Sequence, residues 1–95
     1  MNLDERMAKG SRAREILENE VFKETFDQIE KEIIEQWTNS PARDEAGRQS
    51  LWLYLKVLQR VQTQLQTTME TGRLAQLELR HQESLTAFKS TAWIG

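Results

Sequence analysis

Trp37-Thr38-Asn39-Ser40-Pro41-Ala42-Arg43-Asp44 decides how this chain folds, because it holds the one proline of the sequence and separates two regular apolar stripes. Upstream run Leu17, Val21, Phe22, Phe26, Ile29, Ile33, Ile34 and Trp37; downstream run Leu51, Leu55, Leu58, Leu65 and Met69. Steps of three and four residues put each set on one face of an α-helix. A short break with proline folds two such helices against each other as an αα-hairpin. The expected architecture is all-α: a long antiparallel helical hairpin with a third C-terminal helical segment and a short apolar tail. Its seam is assigned to Phe22, Phe26, Ile29, Ile33, Trp37, Leu51, Leu55 and Leu58.

The helix ends carry local signals. Asn19 followed by Glu20 suits an N-cap, since the amide oxygen accepts from the next free N–H groups and the acid meets the positive end of the helix dipole. A short helix over 12–18 and a main helix over 20–37 follow, the latter about 27 Å long at 1.5 Å per residue. Ser40-Pro41 reads as a helix start, with Ser as cap and Pro in the first turn. Asp44 is a second candidate cap, which would leave a short turn before a helix over 44–71. Gly10-Ser11 reads as a break. Gly72 reads either as a C-terminal cap or as a glycine inside a longer helix. A third stripe follows in Leu74, Leu77, His81, Leu85 and Phe88, again at steps of three and four. The organisation read from these signals is a polar arm over 1–11, a hairpin over 12–72, a helical segment over 73–89 and a docking tail over 90–95.

Composition limits the functions. With 95 residues the chain forms one domain at most. It has no cysteine, which excludes disulfides and thiolate metal sites. No signal-peptide core and no apolar run of membrane-spanning length occur, so a protein made in a cytosol is expected. Residues 1–47 hold seven Lys/Arg and twelve Asp/Glu, and residues 48–95 hold six and three. The halves thus carry net charges of −5 and +3, a mild attraction between neighbouring helices and too mixed a pattern for a nucleic-acid footprint.

Nothing in the sequence spells out chemistry. Glu20, Glu24 and Asp27 are helical neighbours, and paired carboxylates can do acid–base work, but no histidine, serine or lysine completes a catalytic set. A solvated acidic face accounts for them. His81, the one histidine, falls on the third stripe without the companions a transition-metal site needs. Trp37, Trp52 and Tyr54 surround the turn, where they either close the end of the hairpin or offer a stacking platform. Trp52 stands one position off the Leu51 stripe, which points it toward a neighbouring subunit. The Gln- and Thr-rich run over 59–71 fits an oligomer interface or a solvated surface. No phosphate loop, dinucleotide fingerprint or nucleophile elbow is present. The chain reads as a non-enzyme without catalytic, cofactor-binding or metal residues. Apolar residues near an end call for cover, so Trp52, Phe88, Trp93 and Ile94 are the candidate partner anchors.

Arg12-Ala13-Arg14-Glu15-Ile16-Leu17-Glu18-Asn19 with Val21-Phe22, Glu35-Gln36-Trp37, Ser40 to Asp44, and Leu51-Trp52-Leu53-Tyr54-Leu55-Lys56 leading to Glu70-Thr71-Gly72 resemble small, mostly uncharacterised helical-hairpin proteins of tailed bacteriophages and prophages. The similarity spans roughly residues 12–77. It implies a structural or assembly component, made in the host cytoplasm and residing in the virion. Such a protein would bind a larger phage protein (capsid, portal or tail) in several copies or as a homo-oligomer, with no membrane and no nucleic-acid partner. The alternative is a small regulatory or DNA-packaging accessory that binds a host protein or DNA. The resemblance carries no catalytic residue to these positions.

Overall fold

The computed structural model describes the backbone of residues 2–94 and the side-chain surroundings of residues 2–87. The chain is all-helical, with α1 at Leu3–Glu18, α2 at Glu20–Asn39 and α3 at Glu45–Ile94, and no strand among the described residues. Each boundary has a local cause. Asn2 caps α1, its side chain accepting from the Glu5 N–H at 2.8 Å. Asn19 serves two helices at once. Its backbone N–H donates to the Ile16 carbonyl at 3.2 Å, ending α1, while its side-chain oxygen accepts from the Phe22 N–H at 2.9 Å, starting α2. The extended backbone of Asn19 (φ −68°, ψ 124°) is the non-helical geometry an N-cap requires.

Ser40 closes α2 and does not open α3. Its hydroxyl donates to the Trp37 carbonyl at 2.6 Å, and Pro41 lies in the turn that follows. Asp44 is the cap used, accepting from the Gly47 N–H at 3.1 Å, with Glu45 in the first turn of α3. Pro41 restricts the preceding residue to extended backbone, and Ser40 adopts ψ 144° accordingly.

Gly10 resolves against the expected break, and Gly72 takes the second of its two readings, a glycine inside a longer helix. Gly10 lies inside α1 and Gly72 inside α3, and neither takes a positive φ. They mark where the two helices touch. A Cβ built on Gly72 would sit 2.7 Å from the Gly10 Cα and 2.9 Å from the Arg6 carbonyl oxygen. No side chain fits there, so the backbones meet directly. Ala13 and Ala75 are buried beside this contact. Residues 1–11 are therefore not a separate arm, since α1 starts at Leu3. Residues 73–89 are not a separate helix but the continuation of α3, whose backbone also includes residues 90–94.

Further along, Phe26 shares a cleft with Gln62 and Gln66, and Trp37 lies beside Arg48 and Leu51. Phe22 and Phe26 pack with ring centroids 5.6 Å apart. A 50-residue helix is about 75 Å long, and it sets the long dimension of a molecule measuring 78 × 25 × 18 Å. The radius of gyration is 21.6 Å, against about 12 Å for a compact domain of this length.

Such a rod buries little. Among the described residues only Ala13, Phe26 and Ala75 are buried apolar side chains. The accessible surface is 7807 Å², whereas a compact monomer of 11.2 kDa exposes about 5,700 Å². The excess is about 2,100 Å². Of the expected seam, Phe26 is buried and Phe22, Ile33, Leu51, Leu55 and Leu58 are half-buried. Ile29 and Trp37 are exposed, a correction with a simple cause: neighbouring helices cover each other along one line and leave both flanks in solvent.

Candidate interaction surface

Where α2 ends and α3 begins, Ile33, Ile34 and Trp37 meet Leu51, Trp52 and Leu55 around an open cleft of about 310 Å³. Helical spacing explains the set. Ile33 and Trp37 are four apart on α2, and Leu51 and Leu55 four apart on α3. Ile34 and Trp52 each stand one position off those lines and widen the apolar floor onto one flank. Trp37 is 43% exposed and Trp52 is 52% exposed. None of the six lining residues titrates or carries a charge, so the cleft can receive an apolar side chain but cannot move a proton.

Two cations frame the rings. The Arg48 guanidinium carbon lies 4.2 Å from the Trp37 ring centroid, and the Lys56 ammonium 5.5 Å from that of Trp52. Arg48 also donates to the Ser40 hydroxyl at 3.0 Å and to the Ser40 carbonyl at 3.4 Å. It thereby ties the first turn of α3 to the cap of α2 and lies over the Trp37 ring, a cation–π arrangement worth about 0.5–1 kcal/mol at an exposed site. The sequence shows Arg48 as one more basic residue. An arginine eleven positions after a tryptophan, across a proline turn, is the signal that could have found it.

Elsewhere on the surface, among the described residues, two ion pairs form within a helix. Arg14 meets Glu18 at 3.0 Å, and the Arg73 Nε meets the Glu70 carboxylate at 3.0 Å. The hydrogen bond from Arg73 holds the Glu70 carboxyl below its usual range, and the same bond raises the guanidinium above its own. Both groups are solvent-exposed. Among the described residues no cluster of three or more His, Cys, Asp or Glu suits a metal ion, and no helix is long and apolar enough to cross a membrane. Glu20, Glu24 and Asp27 stay on an exposed face of α2.

Of the four anchor residues expected from sequence, Trp52 is at the cleft. The side chains of Phe88, Trp93 and Ile94 lie outside the described residues. No protein-family model matches the chain, nor does any curated protein or solved structure.

Proposed function

We propose that this chain is a non-enzymatic bacteriophage structural or assembly component: an antiparallel helical hairpin that docks on a larger virion protein through its apolar helix faces and its aromatic C-terminal segment. The observation that carries the docking half of this reading is the surplus of about 2,100 Å² of surface over a compact monomer. Specific interfaces take about 800 Å² from each partner, so the rod has surface for more than one contact. The cleft between Trp37 and Trp52 has the composition of an interface centre, aromatic and free of charge with a cationic rim. The order of contacts supports the hairpin, since Trp37 meets Arg48 while Gly10 meets Gly72. The phage assignment rests on the resemblance over residues 12–77.

Binding to DNA draws less support. Of the basic side chains on α3, Arg48 and Lys56 lie over tryptophan rings and Arg73 is paired with Glu70. The test is quantitative mass spectrometry of purified particles from the phage that encodes the chain. Several copies per particle, lost when Trp52 is changed to Ala, are expected. Absence from particles at every stage of assembly would overturn the virion reading and leave a role in the infected cell.

A further inference from the structure

The apolar face left open toward the C-terminal end of α3 has a symmetry that names its occupant. Gly10 touches Gly72, so the start of α1 seven residues earlier stands beside residue 79 or so. Beyond that point α1 no longer accompanies α3, which continues to Ile94, about 22 Å further. Where α1 is present Gly72 and Ala75 are buried and Leu79 is half-buried, which marks the covered side of α3. At 100° per residue, the line through Leu74, Leu77, His81 and Leu85 lies about 150° around the helix from that contact. Leu74 is 54% exposed, Leu77 46% and Leu85 49%. His81, in the middle of the line, is exposed as well.

The steps between Leu74, Leu77, His81, Leu85 and Phe88 are three, four, four and three. They read the same in both directions. A stripe with that property is complementary to itself when a second helix lies across it in the opposite sense, which is the requirement of a two-fold interface. We propose that two copies of this chain pair antiparallel through the C-terminal part of α3, with the two His81 residues facing each other on the two-fold axis. Leu77 of each copy then stands opposite Leu85 of the other, and position 74 opposite position 88. Because α1 sits on the far side of α3, it does not obstruct the approach. The pairing deepens the assembly reading and rests on it in one respect, that the surplus surface is covered when the protein works.

Single cysteines test this directly, because the chain has none of its own. Helix axes 8–10 Å apart bring the two Cα atoms of an axial residue to about 3.5–5.5 Å, which overlaps disulfide reach. Oxidised His81→Cys is therefore expected to run as a covalent dimer. Leu74→Cys is expected to stay uncrosslinked, since its two copies would lie about 21 Å apart. By light scattering the native chain should weigh twice 11.2 kDa, and Leu77→Glu with Leu85→Glu should halve that mass without loss of helical circular dichroism. In X-ray scattering the dimer should extend to about 110 Å against 78 Å for one chain. Crosslinking at both positions would overturn the proposal in favour of a parallel pair. Crosslinking at neither, with a mass above one chain, would overturn it while leaving the assembly reading intact. A well-folded monomer would overturn it too, and the particle measurement above then decides the assembly reading alone.

Discussion

Replacing Gly72 with alanine separates two effects of opposite sign. A glycine inside an exposed helix costs up to about 1 kcal/mol relative to alanine, so on propensity alone the change should stabilise α3. The structure reverses this. The new Cβ would lie 2.7 Å from the Gly10 Cα and 2.9 Å from the Arg6 carbonyl oxygen, both backbone atoms with no rotamer to give. Carbon atoms pack at about 3.5–4.0 Å, so α1 and α3 must part by about 1 Å, and contacts along the crossing lose a quarter to a half of their attraction. Overpacking of this kind costs about 1–3 kcal/mol. Net destabilisation of about 1 kcal/mol follows, or a fall of about 4–8 °C in Tm for a chain of this size. Thermal melts followed at 222 nm measure it, with Gly47→Ala as the comparison. At position 47 the atoms nearest the new Cβ belong to the Asp44 carboxylate, which can rotate away. There the propensity gain and a weakened cap, each about 1 kcal/mol, nearly cancel. A Gly72→Ala variant that melts higher than the native chain would refute the glycine crossing.

Asn19→Ala removes the acceptor of the Phe22 N–H and is expected to cost about 1 kcal/mol in urea unfolding; an unchanged midpoint would mean α1 and α2 merge without penalty. Trp52→Ala, at a half-exposed ring, is expected to leave the Tm within a few degrees while abolishing co-purification with phage particles; a collapse in Tm would instead make Trp52 part of the core. Arg73→Gln removes the hydrogen bond that lowers the Glu70 carboxyl, so NMR titration should show that carboxyl returning upward. Because the folded value is depressed, the pair contributes stability above the unfolded carboxyl range and loses it as pH falls through the folded value; exposure keeps the effect small.

Legibility in the sequence followed the range of each interaction. Asn19 and Asp44 could be read because a cap is made by residues two or three apart, all visible in one window. Ser40 misled because it precedes proline, a pattern shared by helix starts and by the residue that closes a helix before one. Gly10 misled and Gly72 stayed open between two readings for a deeper reason: a glycine that ends a helix and a glycine that lets another helix approach look the same locally. Only their pairing tells, and it joins residues far apart in the chain. Ile29 and Trp37 were assigned to the seam by periodicity, which gives direction around a helix but not how wide a strip the neighbour covers. Arg48 went unnoticed because its role needs Trp37 and Ser40 on the other side of the turn.

The spread of these contacts along the chain also implies an order of assembly. Arg48 reaches Trp37 across 11 positions, a loop that closes cheaply, whereas Gly10 and Gly72 enclose many times that length. Direct closure of the larger loop costs about 1.5 kcal/mol more. A chain that first joins α2 to α3 beside Pro41 avoids most of that penalty, because each contact shortens the remaining gap. Folding should therefore zip from the turn toward α1, and amide labelling pulsed during refolding should find α2 and the first turns of α3 protected before α1. Asn19 sits in the path of this zipper as a pause, where one helix stops and the next must nucleate again.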